Sequence, residues 1–212
     1  MKKLLVGLGF LTFFLNGCSS NSGSTEHTNE TETTASQSQA QASSASTETN
    51  SEPEQAATKA VVYFSRSGKT QQIAETIQQQ TNSDIFTIEL VDTYPNNYSE
   101  LLDAVQGQID QGELPEIIAP ELDLNRYDRI YLGSPIWFND LSLPVIAWIE
   151  QTDLAGLEIV PFFTSGSSSY TAAQANLRAL LPNATVLEGI GITDASRSNA
   201  TTLVTNWVNT LN

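Results

Sequence analysis

The sequence predicts an α/β protein built as a doubly wound parallel sheet, and three observations predict it. From residue 60 onward, short apolar runs rich in β-branched and aromatic residues alternate strictly with segments of helical periodicity. Ala60, Val61, Val62, Tyr63 and Phe64 form an unbroken apolar run, as a strand buried on both faces of a parallel sheet requires. Three strands then run out into loops rich in hydroxyls, glycine or aromatics, at the carboxyl ends where an open α/β sheet holds its ligand.

In order, strand 60–64 leads into a helix over 71–80, with Ile73, Ala74 and Ile77 at helical spacing. Residues 84–90 alternate as a second strand, 92–98 form a Pro/Asn-rich link, 99–108 a helix, and 112–125 an acidic, Pro-containing connection. A short buried strand at 129–132 precedes a helix at 142–150. Strand 157–163, helix 171–181, strand 185–190 and a closing helix at 199–211 complete five strands without an internal repeat.

The chain upstream is of another kind. Met1, Lys2 and Lys3 precede an apolar run from Leu4 to Leu15, too short for a membrane-spanning helix, and Leu15-Asn16-Gly17-Cys18 follows. That ending resembles the bacterial lipobox, which implies a signal peptide over 1–17 and lipidation of Cys18, the only cysteine. An uncleaved signal anchor is the alternative; either way the remainder is exported and held at a membrane. Residues 19–58 contain no Leu, Ile, Val or aromatic residue and cannot offset the entropy of ordering their backbone, so 18–58 reads as a lipidated N-terminus and disordered tether. Such a coil spans roughly 35 Å on average. The sole histidine, His27, falls in it and reads as solvated, and no thiolate nucleophile, disulfide or cysteine-bound metal is available to the domain at 59–212.

The three loops carry the chemistry. Ser65, Arg66, Ser67, Gly68, Lys69 and Thr70 supply hydroxyls, two cations and a flexible Gly at the start of a helix, where free N–H groups and the helix dipole favour a phosphate. Gly68-Lys69-Thr70 resembles the end of a Walker A loop, but that loop needs a Gly at position 63, which is Tyr. Pro135, Ile136, Trp137, Phe138 and Asn139 put two aromatics on a loop, where a flat ring could stack on Trp137; alternatively Trp137 covers the end of the sheet. Thr164, Ser165, Gly166, Ser167 and the two serines after them offer flexible backbone and hydroxyls for the polar edge of such a ring, with Tyr170 as a second wall. Taken singly, the first loop could be a plain turn and the third a Ser/Gly linker. Together they fit a phosphate at one end and an aromatic heterocycle at the other.

Tyr63-Phe64-Ser65-Arg66-Ser67-Gly68-Lys69-Thr70, Gly133-Ser134-Pro135-Ile136-Trp137-Phe138 and Thr164-Ser165-Gly166 resemble the three FMN loops of the flavodoxin family. The resemblance implies a five-stranded sheet of order 2-1-3-4-5 binding FMN at its switch point, with the phosphate among Ser65, Ser67, Gly68, Lys69 and Thr70. It places the isoalloxazine against the second and third loops. Lys69 stands where many relatives have Asn, Ser167 replaces a frequent second Gly, and Phe138 and Asn139 stand where Trp and Gly are common. The last change bears on the peptide flip by which a Gly often bonds the reduced flavin N5, although Asn tolerates positive φ better than most residues.

A flavin would perform the redox chemistry, so no protein nucleophile or other catalytic side chain is required. The first expectation is an electron carrier on the outer face of a bacterial membrane, docking transiently with a redox protein or a small acceptor. The alternatives are an FMN-dependent reductase passing hydride from a nicotinamide to a quinone, and a binding module that has lost its flavin. Without an obvious large insertion to build a second pocket, the carrier is favoured. Residues 59–212 carry 18 acids against 7 bases, which argues against nucleic acid and suits a basic partner, though solvated exported domains share that charge.

Overall fold

The structure, a computed structural model, describes residues 58–211. The signal segment, Cys18, His27 and the tether up to residue 57 lie outside the described residues. Strands β1 (Lys59–Tyr63), β2 (Asp84–Thr87), β3 (Arg129–Trp137), β4 (Glu158–Ser165) and β5 (Ile190–Thr193) pair in parallel in the order β2-β1-β3-β4-β5. This is the expected 2-1-3-4-5 sheet. The order reverses between β1 and β3, so the loops leaving these two strands diverge and open a crevice. Thr58 is already tied to the sheet, its carbonyl accepting from the Asp128 and Arg129 amides at 2.8 and 3.2 Å.

Helices α1 (Lys69–Thr81), α2 (Tyr98–Gln111), α3 (Leu143–Gln151), α4 (Thr171–Leu180) and α5 (Ala200–Asn209) accompany the sheet among the described residues. The period of two in the strands divides the core. Val61, Tyr63, Tyr131, Val160, Phe162 and Ile192 face Ile73, Ala74 and Ile77 of α1 and Ala200, Val204 and Val208 of α5. Ala60, Val62, Ile130, Leu132, Ile159 and Phe163 face Val145, Trp148 and Ile149 of α3 and Ala173 and Leu177 of α4. Ile73 and Ile77 are almost wholly buried, and each such side chain contributes about 1.5–3 kcal/mol by leaving water. Helix α2 packs separately, through Leu101 and Val105 against Leu143.

Four boundaries differ from expectation. The second strand ends at Thr87, its last rung the bond from the Ile88 amide to the Tyr63 carbonyl at 2.8 Å. Glu89–Leu90 then pairs antiparallel with Ile117–Ile118, a short strand inside the expected 112–125 connection. The expected strand 185–190 is two pieces: Thr185–Val186 pairs with the start of β4 and β5 with its end. Gln174 of α4 captures the intervening Gly189 amide through Oε1 at 2.7 Å. Lastly, β3 continues five residues beyond Leu132, through what had read as the start of a loop. Gly133 permits this, since a Cβ there would lie 2.2 Å from Phe162 Cζ and 2.8 Å from Tyr63 Cβ.

Candidate functional site

The β1–α1 loop folds as a cradle. Gly68, at φ +78°, occupies the N-cap of α1 and supplies no side-chain cap, so the first-turn N–H groups open outward, with no acidic residue in that turn to answer them. Among the described residues Ser65 Oγ is buried without a hydrogen-bond partner, an unsatisfied group that a phosphate oxygen would complete. Thr70 is buried, and its Oγ1 lies 2.8 Å from Thr164 Oγ1, joining the first turn of α1 to β4 and the first loop to the third. Arg66 donates from Nη2 to the carbonyls of Pro95 and Asn96 at 2.8 and 2.9 Å. Its reach is inward to the link before α2, and it draws the Asn97-capped start of that helix alongside the cradle.

The second loop is shorter than the sequence suggested. Ile136 and Trp137 pair antiparallel with Leu141 and Asp140, leaving only Phe138 and Asn139 as a two-residue turn. Both have positive φ, +49° and +65°, which identifies a primed hairpin turn normally filled by Asn-Gly. Asn suits its position, whereas a bulky Phe is strained there. Ser134 latches the base, its Oγ accepting from the Ser142 amide at 3.0 Å, and Asp140 accepts from Asn176 Nδ2 through both carboxylate oxygens. Trp137 is held edge-to-face by Phe64 at 5.7 Å and by Tyr94 at 5.2 Å. Burial pushes the Tyr94 phenol up to about 12, against the opposing effect of its bond to Gln108 Oε1.

These loops and α2 enclose a cleft of about 690 Å³. Arg66, Ser67, Lys69, Thr70, Pro135, Ile136, Trp137, Phe138, Thr164, Ser165, Gly166 and Ser167 line it, bringing together twelve of the residues singled out from the sequence. Ser65 and Gly68 shape the cradle without lining the cleft, and Asn139 sits on the exposed turn. Trp137 packs on Phe64 at the end of the sheet and also lines the cleft. Tyr170 departs from expectation. It is the N-cap residue of α4, its ring stacked on Phe163 at 5.4 Å, and it is absent from the cleft lining. The wall expected of it is formed instead by Tyr98, Leu101, Leu102 and Val105 of α2.

Asp194 is the other cleft residue that the sequence did not disclose. It lies just past β5, its amide donating to the Gly166 carbonyl at 3.1 Å, and its carboxylate takes Lys69 Nζ at 2.7 and 3.0 Å. Arg197 donates to the same carboxylate from Nη2 at 2.8 Å. The two cations, Lys69 foremost, hold the Asp194 carboxyl below the usual carboxylate range. The cradle is thus polar, basic and capped by free amides at one end, while the cleft is apolar and aromatic at the other, as a phosphorylated flat heterocycle requires.

A doubly wound sheet with a ligand cleft at its switch point is the class that fold and site define. A sequence model of the flavodoxin family matches residues 58–211, so the chain belongs to that family. A comparison with curated proteins finds no match. Among solved structures, a candidate flavoprotein of Bacteroides uniformis is 27% identical at a TM-score of 0.62, over 72% of this chain and 98% of its own. A flavoprotein of Lactobacillus acidophilus, solved in complex with FMN, is 25% identical at a TM-score of 0.58, over 69% and 99%. A candidate flavoprotein of Bacteroides eggerthii, 23% identical at a TM-score of 0.64 over 72% and 96%, shares the fold.

Proposed function

We propose that this protein is an FMN-dependent electron carrier, exported and lipid-anchored through Cys18 to the outer face of a bacterial membrane. The observation that carries the flavin assignment is the pairing of the unpartnered, buried Ser65 Oγ and the uncapped start of α1 with an aromatic-lined cleft of about 690 Å³. The family and its FMN-bound relative support FMN as the cofactor. Bound there, FMN would supply the redox chemistry.

The residues divide the remaining work. Ser65, Ser67, Lys69, Thr70 and the first amides of α1 hold the phosphate; Pro135, Ile136 and Trp137 exclude water from one side of the ring; Thr164 to Ser167 meet its polar edge. Phe138, 46% exposed, and Tyr98, 70% exposed, flank the mouth, leaving an apolar rim where a transient redox partner or a small acceptor can approach. The acidic surface favours a basic partner and disfavours nucleic acid.

Titration calorimetry tests the assignment. FMN should bind the purified full chain more tightly than riboflavin does; equal affinity, or none for either, overturns it. Among the described residues no helix is long and apolar enough to cross a membrane, and the anchor rests on Cys18. Cys18→Ala should therefore release the protein from membranes or leave its precursor unprocessed while flavin binding is retained, which fractionation and the visible spectrum will report.

A further inference from the structure

Two cations line the cleft, and both are engaged by the protein's own oxygens. Arg66 turns Nη2 to two backbone carbonyls. Lys69 Nζ lies 2.7 and 3.0 Å from the two carboxylate oxygens of Asp194, and Arg197 is already paired with the same carboxylate. A carboxylate beside a phosphate cradle works against the ligand, because a neighbouring negative charge repels an anion. The ion pair is exposed, with Lys69 and Asp194 side chains 45% and 49% accessible, so its contribution to folding is small. Nor is the carboxylate needed to position its loop, because the backbone amide of Asp194 makes the tie to Gly166.

We propose that Asp194 is a specificity-determining residue of the cradle: it competes with a phosphate monoester for Lys69, lowering affinity for the phosphorylated flavin and narrowing the preference for FMN over riboflavin. The proposal rests on the FMN reading of the cleft. Lys69, Arg197 and Asp194 together present one net positive charge to the phosphate; without the carboxylate they present two. Arg197 acts through Asp194, by drawing that charge away from Lys69, and is a positioning residue.

The test measures FMN and riboflavin dissociation constants for the full chain, Asp194→Asn and Arg197→Gln, at low and high salt. Asp194→Asn removes the charge with little change of shape. It should tighten FMN about tenfold at low salt, with the gain shrinking at high salt, and leave riboflavin unmoved. Arg197→Gln should weaken FMN and again spare riboflavin. The opposite signs are the point, because a merely structural strap would weaken both flavins in both variants, and that result overturns the proposal. Unchanged FMN affinity in Asp194→Asn overturns it as well, while leaving the FMN reading intact. A wild-type chain that binds neither flavin overturns both.

Discussion

Ser65 concentrates the argument for a ligand in one atom. A buried hydroxyl without a partner costs about 1–3 kcal/mol in the ligand-free protein, and a hydrogen bond to a charged acceptor returns about 1.5–3 kcal/mol. Ser65→Ala should therefore leave the ligand-free domain as stable as wild type or about 1 kcal/mol more stable, while weakening FMN binding by about 1.5–3 kcal/mol. Urea unfolding and calorimetry on one preparation give both numbers. A fall in stability without flavin would mean that the hydroxyl serves the fold. Phe138 makes a parallel case, since its positive φ is a backbone cost for which the packing offers no return: the side chain is nearly half exposed on the cleft rim.

Between elements, the site depends on contacts that link loops far apart in sequence. Thr70 and Thr164 share a buried hydroxyl pair that fixes the first turn of α1 against β4. Thr70→Val keeps the shape but strands Thr164 Oγ1, and should cost about 1–3 kcal/mol of stability. Adding Thr164→Val removes the stranded group, so the double variant should be less destabilised than the sum of the two singles. A double-mutant cycle from denaturant midpoints reads this coupling directly, and strict additivity would show that the pair is not a working hydrogen bond. The Arg66 bonds to Pro95 and Asn96 act in the same way on α2, bringing Tyr98 and Leu101 to the cleft as its wall.

For the whole domain, two tyrosines set an alkaline limit to stability. Burial raises Tyr94 to about 12, and burial with the hydrogen bond and charge of Asp84 raises Tyr127 to about 12 as well. In the unfolded chain both ionise near 10. Between these values the folded protein holds protons that the unfolded chain has released, so stability is fully present below pH 10 and falls as pH rises toward 12. Midpoints measured from pH 8 to pH 12 should be level first and then decline. Tyr127→Phe also removes the hydroxyl that Asp84 accepts, so Tyr94→Phe is the cleaner variant to shallow the decline.

The sequence by itself determined the number of the main strands, their alternation with helices and the three loops at the ligand edge of the sheet. These depend on local patterns: an unbroken apolar run in β1, helical spacing in α1, and Ser and Gly where the chain must turn and expose its amides. Only the tertiary structure decided that Gly133, Ser134 and Pro135 extend a strand, because the space that calls for a residue without a Cβ is made by Phe162 and Tyr63. It alone decided that Tyr170 stacks on Phe163 rather than facing the cleft, and that α2 builds the wall in its place. Asp194 is the clearest case. It lies 125 residues from Lys69, and nothing in either neighbourhood encodes their meeting; the parallel order β1-β3-β4-β5, with α1 and α5 on one face, brings the end of the last strand back beside the start of the first helix.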